Sequence, residues 1–286
     1  MVETFHGQPC IRLRVGNSDT ALVSLHGAQV LSWVAAGRER LYLSPKAVFD
    51  GQAAIRGGIP LCFPQFNQRG PLPKHGFARN LAWAAQAPAW NAEQGAVVLC
   101  LWLRSSAYTQ ALWPQDFEVK LTASLGEGWM HIHVEACNTG QTPWEFTTAL
   151  HTYLAVGAVE NVRLEGLEGC ARWDAVRDQY GLQFGAVAIA GEYDSVFSAP
   201  AQPMRLHDGP RCLQISQSPS LGSIVVWNPG VGLCSRLADL PAEGYRSMLC
   251  VEAAQIDAAV PLAPGARWQG WQMLKVMDTP GASAPD

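Results

Sequence analysis

The segment FEVKLTASLGEGWMHIHVEACN, residues 117–138, contains two runs in which apolar and polar side chains alternate. A period of two is typical of a β-strand with one face in a core and the other toward solvent. The runs 117–125 and 129–138 are separated only by Gly126–Gly128. A short connection that contains glycine, placed between two alternating runs, predicts a β-hairpin. The chain is therefore expected to contain at least one antiparallel strand pair.

The same period recurs on both sides of this hairpin. Further strands are predicted at residues 96–105, 144–156, 221–229, 245–256 and 267–277. No convincing helical stripe lies between them, whereas a parallel α/β fold needs a helix between successive strands. The pattern predicts an all-β fold, specifically one large antiparallel β-sandwich.

Length and composition are those of a globular protein with a sizeable core. The chain has 286 residues, of which 48% are hydrophobic and 15% are charged. Large all-β sandwiches reach this length as single units, and no linker or shift in composition divides the chain. We expect one domain over residues 1–286, with residues 278–286 as a frayed tail.

Charge and cysteine usage narrow the class of protein. The net charge of −4 gives no general attraction to nucleic acid or to an anionic membrane. The N-terminal decapeptide lacks a basic region followed by an apolar run, so no secretory signal is visible. The eight cysteines are scattered singly, which favours reduced thiols over disulfides or a CxxC metal site. We expect a cytoplasmic monomer without membrane or nucleic-acid partners.

Residues 55–83, called the cationic loop below, are rich in proline and glycine and hold a cluster of basic side chains. Its charged or titratable members are Arg56, Arg69, Lys74, His75 and Arg79. Arginine forks match phosphate oxygens and lysine adds a compact charge, while Gly57, Gly58 and Gly76 would let backbone amides approach an anion. A solvated loop is the alternative, but basic residues placed between aromatic ones favour a lining of a binding pocket.

Two titratable residues lie within apolar runs. His151 falls inside the predicted strand 144–156, and Glu252 falls inside the predicted strand 245–256. A histidine in such a place is more often a satisfied core side chain than a catalyst, yet histidine exchanges protons near neutral pH. An unpaired buried carboxylate is costly. Glu252 is therefore either a base or half of a buried ion pair, and a functional role is favoured.

Three further features have two interpretations each. The sequence HIHVE places His131, His133 and Glu135 on one strand face, which could ligate a metal, but the regular alternation favours an ordinary half-exposed face. Asp194 lies in a turn-rich segment and could bond its own backbone. Trp227 at a strand end is either core or a flat platform for a ligand.

Six segments together resemble one known family. They are IRGGIPLCFP (55–64), LPKHGFARN (72–80), ALHTYLAV (149–156), EYDSVF (192–197), VVWNP (225–229) and MLCVE (248–252). Their order and spacing resemble those of the D-hexose-6-phosphate mutarotases, the glucose-6-phosphate 1-epimerase branch of the aldose 1-epimerase superfamily. The resemblance extends from about residue 20 to about residue 276. It implies a large antiparallel supersandwich, in agreement with the period-two pattern.

The resemblance also implies roles for individual residues. His151 matches the general acid, Glu252 the general base, and Arg56 and Arg79 the contacts to the substrate phosphate. The remaining matches are the pocket histidine, His75, and the acidic residue that binds sugar hydroxyls, Asp194. Lys74 stands where some relatives carry a glutamine that binds substrate. That replacement keeps a hydrogen-bond donor and adds charge, so it bears on the preference among hexose phosphates.

The implied function is interconversion of the α and β anomers of D-hexose 6-phosphates by acid–base catalysis, without metal or cofactor, with Trp227 lining the pocket. Three alternatives stay open on the sequence. A non-catalytic carbohydrate-binding sandwich would not need His151 opposite Glu252. A mutarotase of unphosphorylated aldoses would have little use for the cationic loop. A cupin-like enzyme built on HIHVE would require a bound metal.

Overall fold

The computed structural model describes residues 1–277, so the predicted frayed tail, residues 278–286, lies outside the described residues. Twenty-two strands are present in this part of the chain. In chain order they are β1 Val2–Phe5, β2 Gln8–Val15, β3 Asp19–Ser24, β4 Val30–Ala35, β5 Arg38–Glu39, β6 Leu61–Cys62, β7 Ala84–Ala85, β8 Ala89–Asn91, β9 Ala96–Arg104, β10 Phe117–Gly126, β11 Trp129–Asn138, β12 Trp144–Leu150, β13 Tyr153–Ala155, β14 Arg163–Glu165, β15 Ala171–Asp174, β16 Gln179–Leu182, β17 Tyr193–Ser198, β18 Met204–Asp208, β19 Arg211–Gln217, β20 Ser223–Asn228, β21 Met248–Leu262 and β22 Arg267–Val276.

The strands form three sheets, and the all-β antiparallel sandwich predicted from the sequence is confirmed. The first sheet has the order β1-β2-β3-β4-β5. The second has nine strands in the order β14-β18-β19-β22-β11-β10-β9-β7, with β8 also paired to β9. The third has eight strands in the order β16-β15-β17-β20-β21-β12-β6, with β13 also paired to β21.

Helical structure in residues 1–277 is limited to short pieces between strands. The α-helices are α1, Ala107–Leu112, and α2, Gly230–Cys234. Short 3₁₀ turns occur at Ala78–Asn80, Val159–Asn161 and Gly244–Ser247. None of the described helices has the length and apolar character needed to cross a membrane.

The β10–β11 hairpin is the best-defined local unit. Its register is unbroken from the pair Phe117–Asn138 to the pair Gly126–Trp129. Gly128 has φ +69, a value that most side chains disfavour, so glycine suits the second residue of this tight turn. Inward residues such as Leu121 are fully buried. The hairpin lies at the centre of the nine-stranded sheet, because β9 pairs with β10 and β22 pairs with β11.

The eight-stranded sheet separates the main core from the side on which the functional site lies. Val226 and Val251 point into the core that all three sheets share. Their neighbours Trp227 and Glu252 point the other way, because successive side chains of a strand alternate between faces. We call this second side the outer face of the eight-stranded sheet. It carries two smaller apolar clusters, one with Val225 and one with Tyr153, together with polar and aromatic side chains.

Several predicted strands needed correction. The strand predicted at 144–156 is two strands, β12 and β13, with His151 and Thr152 in the break between them. The strand predicted at 245–256 begins only at Met248 and runs on to Leu262, while the strand predicted at 221–229 is shorter, as β20. The whole first sheet was missed, although β2 alternates buried and exposed positions over part of its length.

Candidate active site

The outer face of the eight-stranded sheet bounds a cavity of about 280 Å³. Its walls combine side chains of the sheet, side chains of the cationic loop and two leucines that follow β20. The lining residues are Arg56, Phe66, Asn67, Arg69, Lys74, His75, Arg79, His151, Trp173, Ala175, Asp194, Val196, Val225, Trp227, Leu233, Leu237 and Glu252. The cationic loop thus lines a pocket, as its alternation of basic and aromatic residues suggested, and every residue that the sequence singled out for the site lies in this one cavity.

A wider depression of about 510 Å³ is bordered by β14 and β18. It has charges of both signs, from Arg163, Glu165, Glu168 and Arg205, and it contains none of the residues singled out for the site.

His151 reaches the cavity because the chain is kinked at this residue. The backbone N–H of His151 donates to the carbonyl of Pro60 (2.9 Å), and the N–H of Thr152 donates to that of Leu150 (2.9 Å). The ladder between β12 and β21 is therefore interrupted, and β13 resumes beside β21 at Tyr153. The imidazole stacks on Tyr153 with ring centroids 4.8 Å apart. An irregular backbone thus aims the ring, rather than a regular strand as predicted.

Glu252 meets His151 across the cavity floor. Its strand, β21, places it opposite Val225 of β20. His151 Nε2 lies 3.3 Å from Glu252 Oε1, with side chains only 9% and 1% exposed. The other polar atoms of the pair, His151 Nδ1 and Glu252 Oε2, are buried and have no partner within the described part of the chain. We call these two residues the acid–base pair, since buried polar atoms without partners are rare unless a ligand or water serves them.

Burial is the main cause of the pKa shifts in the acid–base pair. It lowers the pKa of His151 well below its usual value, aided by His75, Arg79 and Arg56. It raises the pKa of Glu252 well above its usual value, aided by the charge of Asp194. Both shifts disfavour charge, so the pair holds a single proton between two basic atoms over a broad range around neutrality. One partner can therefore donate a proton while the other accepts one.

Arg56 is already engaged within the protein. Its guanidinium forms a forked ion pair with Asp239, through Nε–Oδ2 (3.0 Å) and Nη2–Oδ1 (3.2 Å), and donates from Nη1 to the Tyr153 hydroxyl (2.9 Å). A guanidinium with these partners has much of its donor capacity used. Arg56 therefore fixes Tyr153 beneath the His151 ring, and its charge toward a ligand is offset by Asp239.

Lys74 and Arg79 are the less encumbered cations. Arg79 donates from Nη2 to the carbonyl of Lys74 (3.0 Å), and its buried Nε has no partner in the described residues. Lys74 is exposed at the cavity wall, and its ammonium forms no ion pair in the part of the chain that the structure describes. Arg69 differs, since it donates to the carbonyl of Ile256 (3.1 Å) and lies over the Trp173 ring.

Two glycines of the cationic loop are required by close backbone approach. A Cβ on Gly58 would lie 2.0 Å from the carbonyl oxygen of Val30, and one on Gly76 would lie 2.1 Å from that of Phe63. Their N–H groups donate to the carbonyls of Tyr42 and Pro73. The prediction that these amides face an anion is therefore wrong, because protein carbonyls already use them.

Asp194 and Trp227 are direct neighbours on the outer face. Asp194 lies within β17, opposite Trp227 of β20, so its assignment to a turn-rich segment was wrong. Burial, with a contribution from Glu192, raises the pKa of Asp194 to about 6. The Trp227 ring stands edge-on to His151 with centroids 6.1 Å apart. A carboxyl beside an aromatic face is suited to bind a hydroxylated ligand with one apolar side.

Comparison with known proteins identifies the family of the chain. The sequence profile described as "Aldose 1-epimerase" matches residues 9–275. The chain belongs to the aldose 1-epimerase family. It is therefore an enzyme, an isomerase of the epimerase type.

Individual relatives agree with this assignment over most of their length. A Salmonella typhimurium protein named "Putative glucose-6-phosphate 1-epimerase" is 36% identical over 83% of this chain and 80% of its own. A protein of the same name from Cenchrus ciliaris is 34% identical over 94% of this chain and 85% of its own. The crystal structure of a "putative mutarotase" from Salmonella typhimurium superposes with a TM-score of 0.88 at 30% identity, covering 97% of this chain and 93% of that one.

The strand HIHVE of this epimerase does not form the metal site considered from the sequence. His131 packs against Trp271, with ring centroids 5.3 Å apart, and Glu135 pairs with Lys120. In residues 1–277, the metal-ligating atoms that converge instead belong to His151, Cys250 and Glu252, within 4.8 Å of one another. Arg79 and Lys74 act on the same carboxyl, so the local charge disfavours a divalent cation and favours proton transfer.

Four residues that contribute to the epimerase site had no sequence signal. Asp239 pairs with Arg56 across 183 residues of sequence. Cys62 contacts the ring of His75 from a two-residue strand. Leu233 and Leu237 close one wall from the end of α2 and the segment after it. Each contact depends on tertiary packing, so no local pattern could have indicated it.

Proposed function

We propose that this protein interconverts the α and β anomers of a hexose 6-phosphate, with glucose 6-phosphate as the reference substrate. The observation that carries the proposal is one cavity containing both a buried His–Glu pair 3.3 Å apart and the cations Lys74 and Arg79. The first feature suits proton transfer at C1, and the second suits a dianion at the far end of the sugar. The names of the relatives supply the same substrate class.

The chemistry needs one proton removed and one delivered. Ring opening takes the proton from the C1 hydroxyl and places one on the ring oxygen, and both oxygens are bonded to the same carbon. The proton shared by the pair first moves from Glu252 to His151, which leaves the carboxylate free. Glu252 then accepts the first proton and His151 gives the second, as the family resemblance implies. The C1 carbonyl then rotates and the ring recloses on the other face with the roles reversed. The proton count of the pair is the same before and after, so no exchange with solvent is required.

The phosphate is assigned to Lys74 and Arg79, with Arg56 as a supporting charge. The Lys74 ammonium forms no ion pair in the described residues, and Arg79 keeps its buried Nε free. Charge-assisted contacts at C6 orient the sugar without touching the reacting centre, which turns remote binding energy into positioning at C1. Asp194 accepts hydrogen bonds from the sugar hydroxyls, and Trp227 covers the apolar face of the sugar.

The alternatives fit the cavity less well. A non-catalytic carbohydrate-binding site gains nothing from a buried acid–base pair, because burying two titratable groups costs stability. A mutarotase of unphosphorylated aldoses has no use for a lysine and an arginine at the cavity wall. A metal enzyme requires a cation where the local charge is already positive.

The test compares anomer exchange on glucose 6-phosphate, galactose 6-phosphate and glucose by saturation-transfer NMR. We expect wild-type exchange to be much faster on the phosphorylated sugars. Arg79→Ala should weaken binding of the phosphorylated sugar by about 1.5–3 kcal/mol, the range for hydrogen bonds to charged groups, with little effect on glucose. Equal losses on both kinds of sugar would contradict a phosphate role for Arg79.

We further propose that residues 1–286 act as a single domain, as a monomer, in the cytoplasm. One apolar cluster contains residues of all three sheets, such as Trp33, Leu121 and Val251, and none of the eight cysteines forms a disulfide. Light scattering after gel filtration tests the monomer, and a single cooperative unfolding transition tests the single domain.

A further inference from the structure

The ring of His75 is held at one nitrogen by two contacts. Its Nδ1 lies 3.1 Å from the Cys62 sulfur and 3.3 Å from the backbone nitrogen of Asn67, whose N–H points at it. The ring also stands edge-on to Phe66 and to His151, with centroid distances of 5.1 Å and 5.4 Å. Both contacts to Nδ1 lie on the protein side, whereas the ring itself lines the cavity.

The Asn67 contact decides where the ring proton resides. A backbone N–H can only donate, so Nδ1 must present its lone pair. The pKa of His75 is lowered to about 3 by burial and by Arg79, Lys74 and Arg56, so the ring is neutral near pH 7. A neutral imidazole carries one proton, and with Nδ1 as acceptor that proton is on Nε2. The ring therefore offers an N–H group on the side away from Cys62 and Asn67.

Cys62 acts as the second donor to the same lone pair. The side chain is fully buried, and burial raises the pKa of its thiol, so the sulfur keeps its proton. Its strand β6 pairs with β12 at Ala149, and its carbonyl accepts from the Thr148 hydroxyl (2.9 Å). The thiol is thus fixed to the strand that ends beside His151. A thiolate facing an imidazolium, the reactive form of a Cys–His pair, is disfavoured here because burial opposes both charges.

We propose that Cys62 is a positioning residue whose S–H, together with the Asn67 N–H, locks His75 in the Nε2–H tautomer, so that His75 presents a hydrogen-bond donor to a ligand oxygen beside the acid–base pair. That the oxygen belongs to a sugar rests on the proposed function. The tautomer itself is a property of the ligand-free protein and does not depend on that function.

The deciding measurement is ¹⁵N NMR of ligand-free protein with labelled histidine, at pH 7. We expect Nδ1 of His75 to resonate as a pyridine-type nitrogen and Nε2 as a pyrrole-type nitrogen that carries the proton. A pyrrole-type Nδ1 would overturn the assignment, and so would two pyrrole-type nitrogens, the signature of an imidazolium facing a thiolate. An inactive wild-type protein would refute the proposed function and leave this measurement valid.

Variants then test Cys62 itself. Cys62→Ala should add Nδ1–H tautomer to the His75 spectrum and lower kcat/KM by on the order of 3- to 10-fold, as for one net hydrogen bond. Cys62→Ser keeps a donor and should retain the wild-type tautomer. Cys10→Ala is the control, because it removes another fully buried thiol that does not line the cavity. An unchanged tautomer together with unchanged kcat/KM in Cys62→Ala would refute the role, and if that variant does not fold, loss of the tautomer in Cys62→Ser refutes it.

Discussion

Two of the histidine–glutamate pairs in residues 1–277 of this epimerase, His133–Glu135 and His151–Glu252, differ in almost every physical respect. His133 and Glu135 lie on one strand, with Nδ1 3.7 Å from Oε1 and side chains 21% and 29% exposed. His151 and Glu252 come from segments about a hundred residues apart, with Nε2 3.3 Å from Oε1 and side chains 9% and 1% exposed. The first is called the surface pair below, and the second is the acid–base pair defined above.

The difference shows that environment, and not residue type, decides whether a pair keeps hydrogen-bonding capacity for a ligand. In the surface pair the Glu135 carboxylate is already satisfied by Lys120 at 2.9 Å. In the acid–base pair each partner keeps one buried polar atom free, and no lysine forms an ion pair with the carboxylate within the described residues. Shifted pKa values and unused hydrogen-bonding capacity coincide in the acid–base pair, which is the arrangement that proton transfer to a substrate requires.

The largest expected effect is on anomer exchange. His151→Asn and Glu252→Gln should each lower kcat/KM on glucose 6-phosphate by roughly 10²–10⁴-fold, the usual contribution of one positioned acid or base. His133→Asn should leave exchange within a factor of two of wild type. The double variant of the acid–base pair should be little worse than either single one, since the two residues act as a unit.

Circular dichroism must show that the variants remain folded. Near-wild-type exchange by His151→Asn or Glu252→Gln would refute the assignment of these two residues as acid and base. A comparable loss in His133→Asn would show that the surface pair takes part and would end the distinction drawn between them.

The strands that carry His133, Glu135 and Glu252 were predictable from local patterns, but the meeting of His151 with Glu252 was not. Alternation over 117–138 gave the β10–β11 hairpin and the outward direction of His133, because one period-two pattern fixes every side chain of a strand. The run 144–156 continues apolar through His151, so nothing local marks the kink. The kink depends on the carbonyl of Pro60, which reaches His151 only through tertiary packing.

Ion pairs between distant segments are equally hard to predict from a local sequence pattern. Arg56 was correctly placed in the cavity, yet its partner Asp239 lies in a polar segment with no distinguishing pattern. The first sheet is a different kind of miss. The apolar residues Leu13 and Val15 of β2 are buried in the main core, so the alternating signal was present but short. Family resemblance, and not periodicity, supplied the roles of the individual site residues.

A second experiment determines which residue of the acid–base pair, His151 or Glu252, holds the shared proton. A carboxyl whose folded pKa exceeds its unfolded value stabilises the fold below the unfolded pKa and loses that contribution as pH rises through the folded pKa. Glu252→Gln avoids this loss. It should therefore raise the free energy of unfolding at pH 7, because burial raises the pKa of Glu252 well above its usual value and the unfolded carboxyl is ionised there. The gain should vanish near pH 4.5 and grow toward alkaline pH.

Urea unfolding at several pH values gives this free energy directly. If Glu252→Gln is destabilised at pH 7, the resting pair is a charged imidazolium–carboxylate, and the neutral pair inferred from burial is wrong. Such a result would leave the catalytic assignment intact while changing the resting protonation state.

A smaller effect concerns Asp194, whose charge acts on Glu252 of the acid–base pair. Its pKa of about 6 means that the carboxylate is lost as pH falls below 6, and with it a charged acceptor for sugar hydroxyls. We expect KM for glucose 6-phosphate to rise by on the order of fivefold between pH 7 and pH 5, the difference between a charged and a neutral hydrogen bond. The substrate phosphate titrates in the same range, so Asp194→Asn is the reference. A pH dependence of KM that is identical in the variant would assign the titration to the phosphate.

The smallest effect should come from the surface pair itself. Glu135→Gln removes an ion pair with Lys120 whose side chains are about one-third exposed, and exposed pairs of this kind contribute about 0.2–1 kcal/mol. The free energy of unfolding should fall by that amount in low salt, and the loss should shrink as added salt screens the pair. The two glutamate-to-glutamine changes thus alter the free energy of unfolding in opposite directions. The Glu135 carboxylate has a cationic partner and contact with solvent, whereas the Glu252 carboxyl has neither. A salt-independent loss above 1 kcal/mol in Glu135→Gln would mean that HIHVE, with His131 against Trp271, is a second buried polar cluster rather than an ordinary half-exposed strand face.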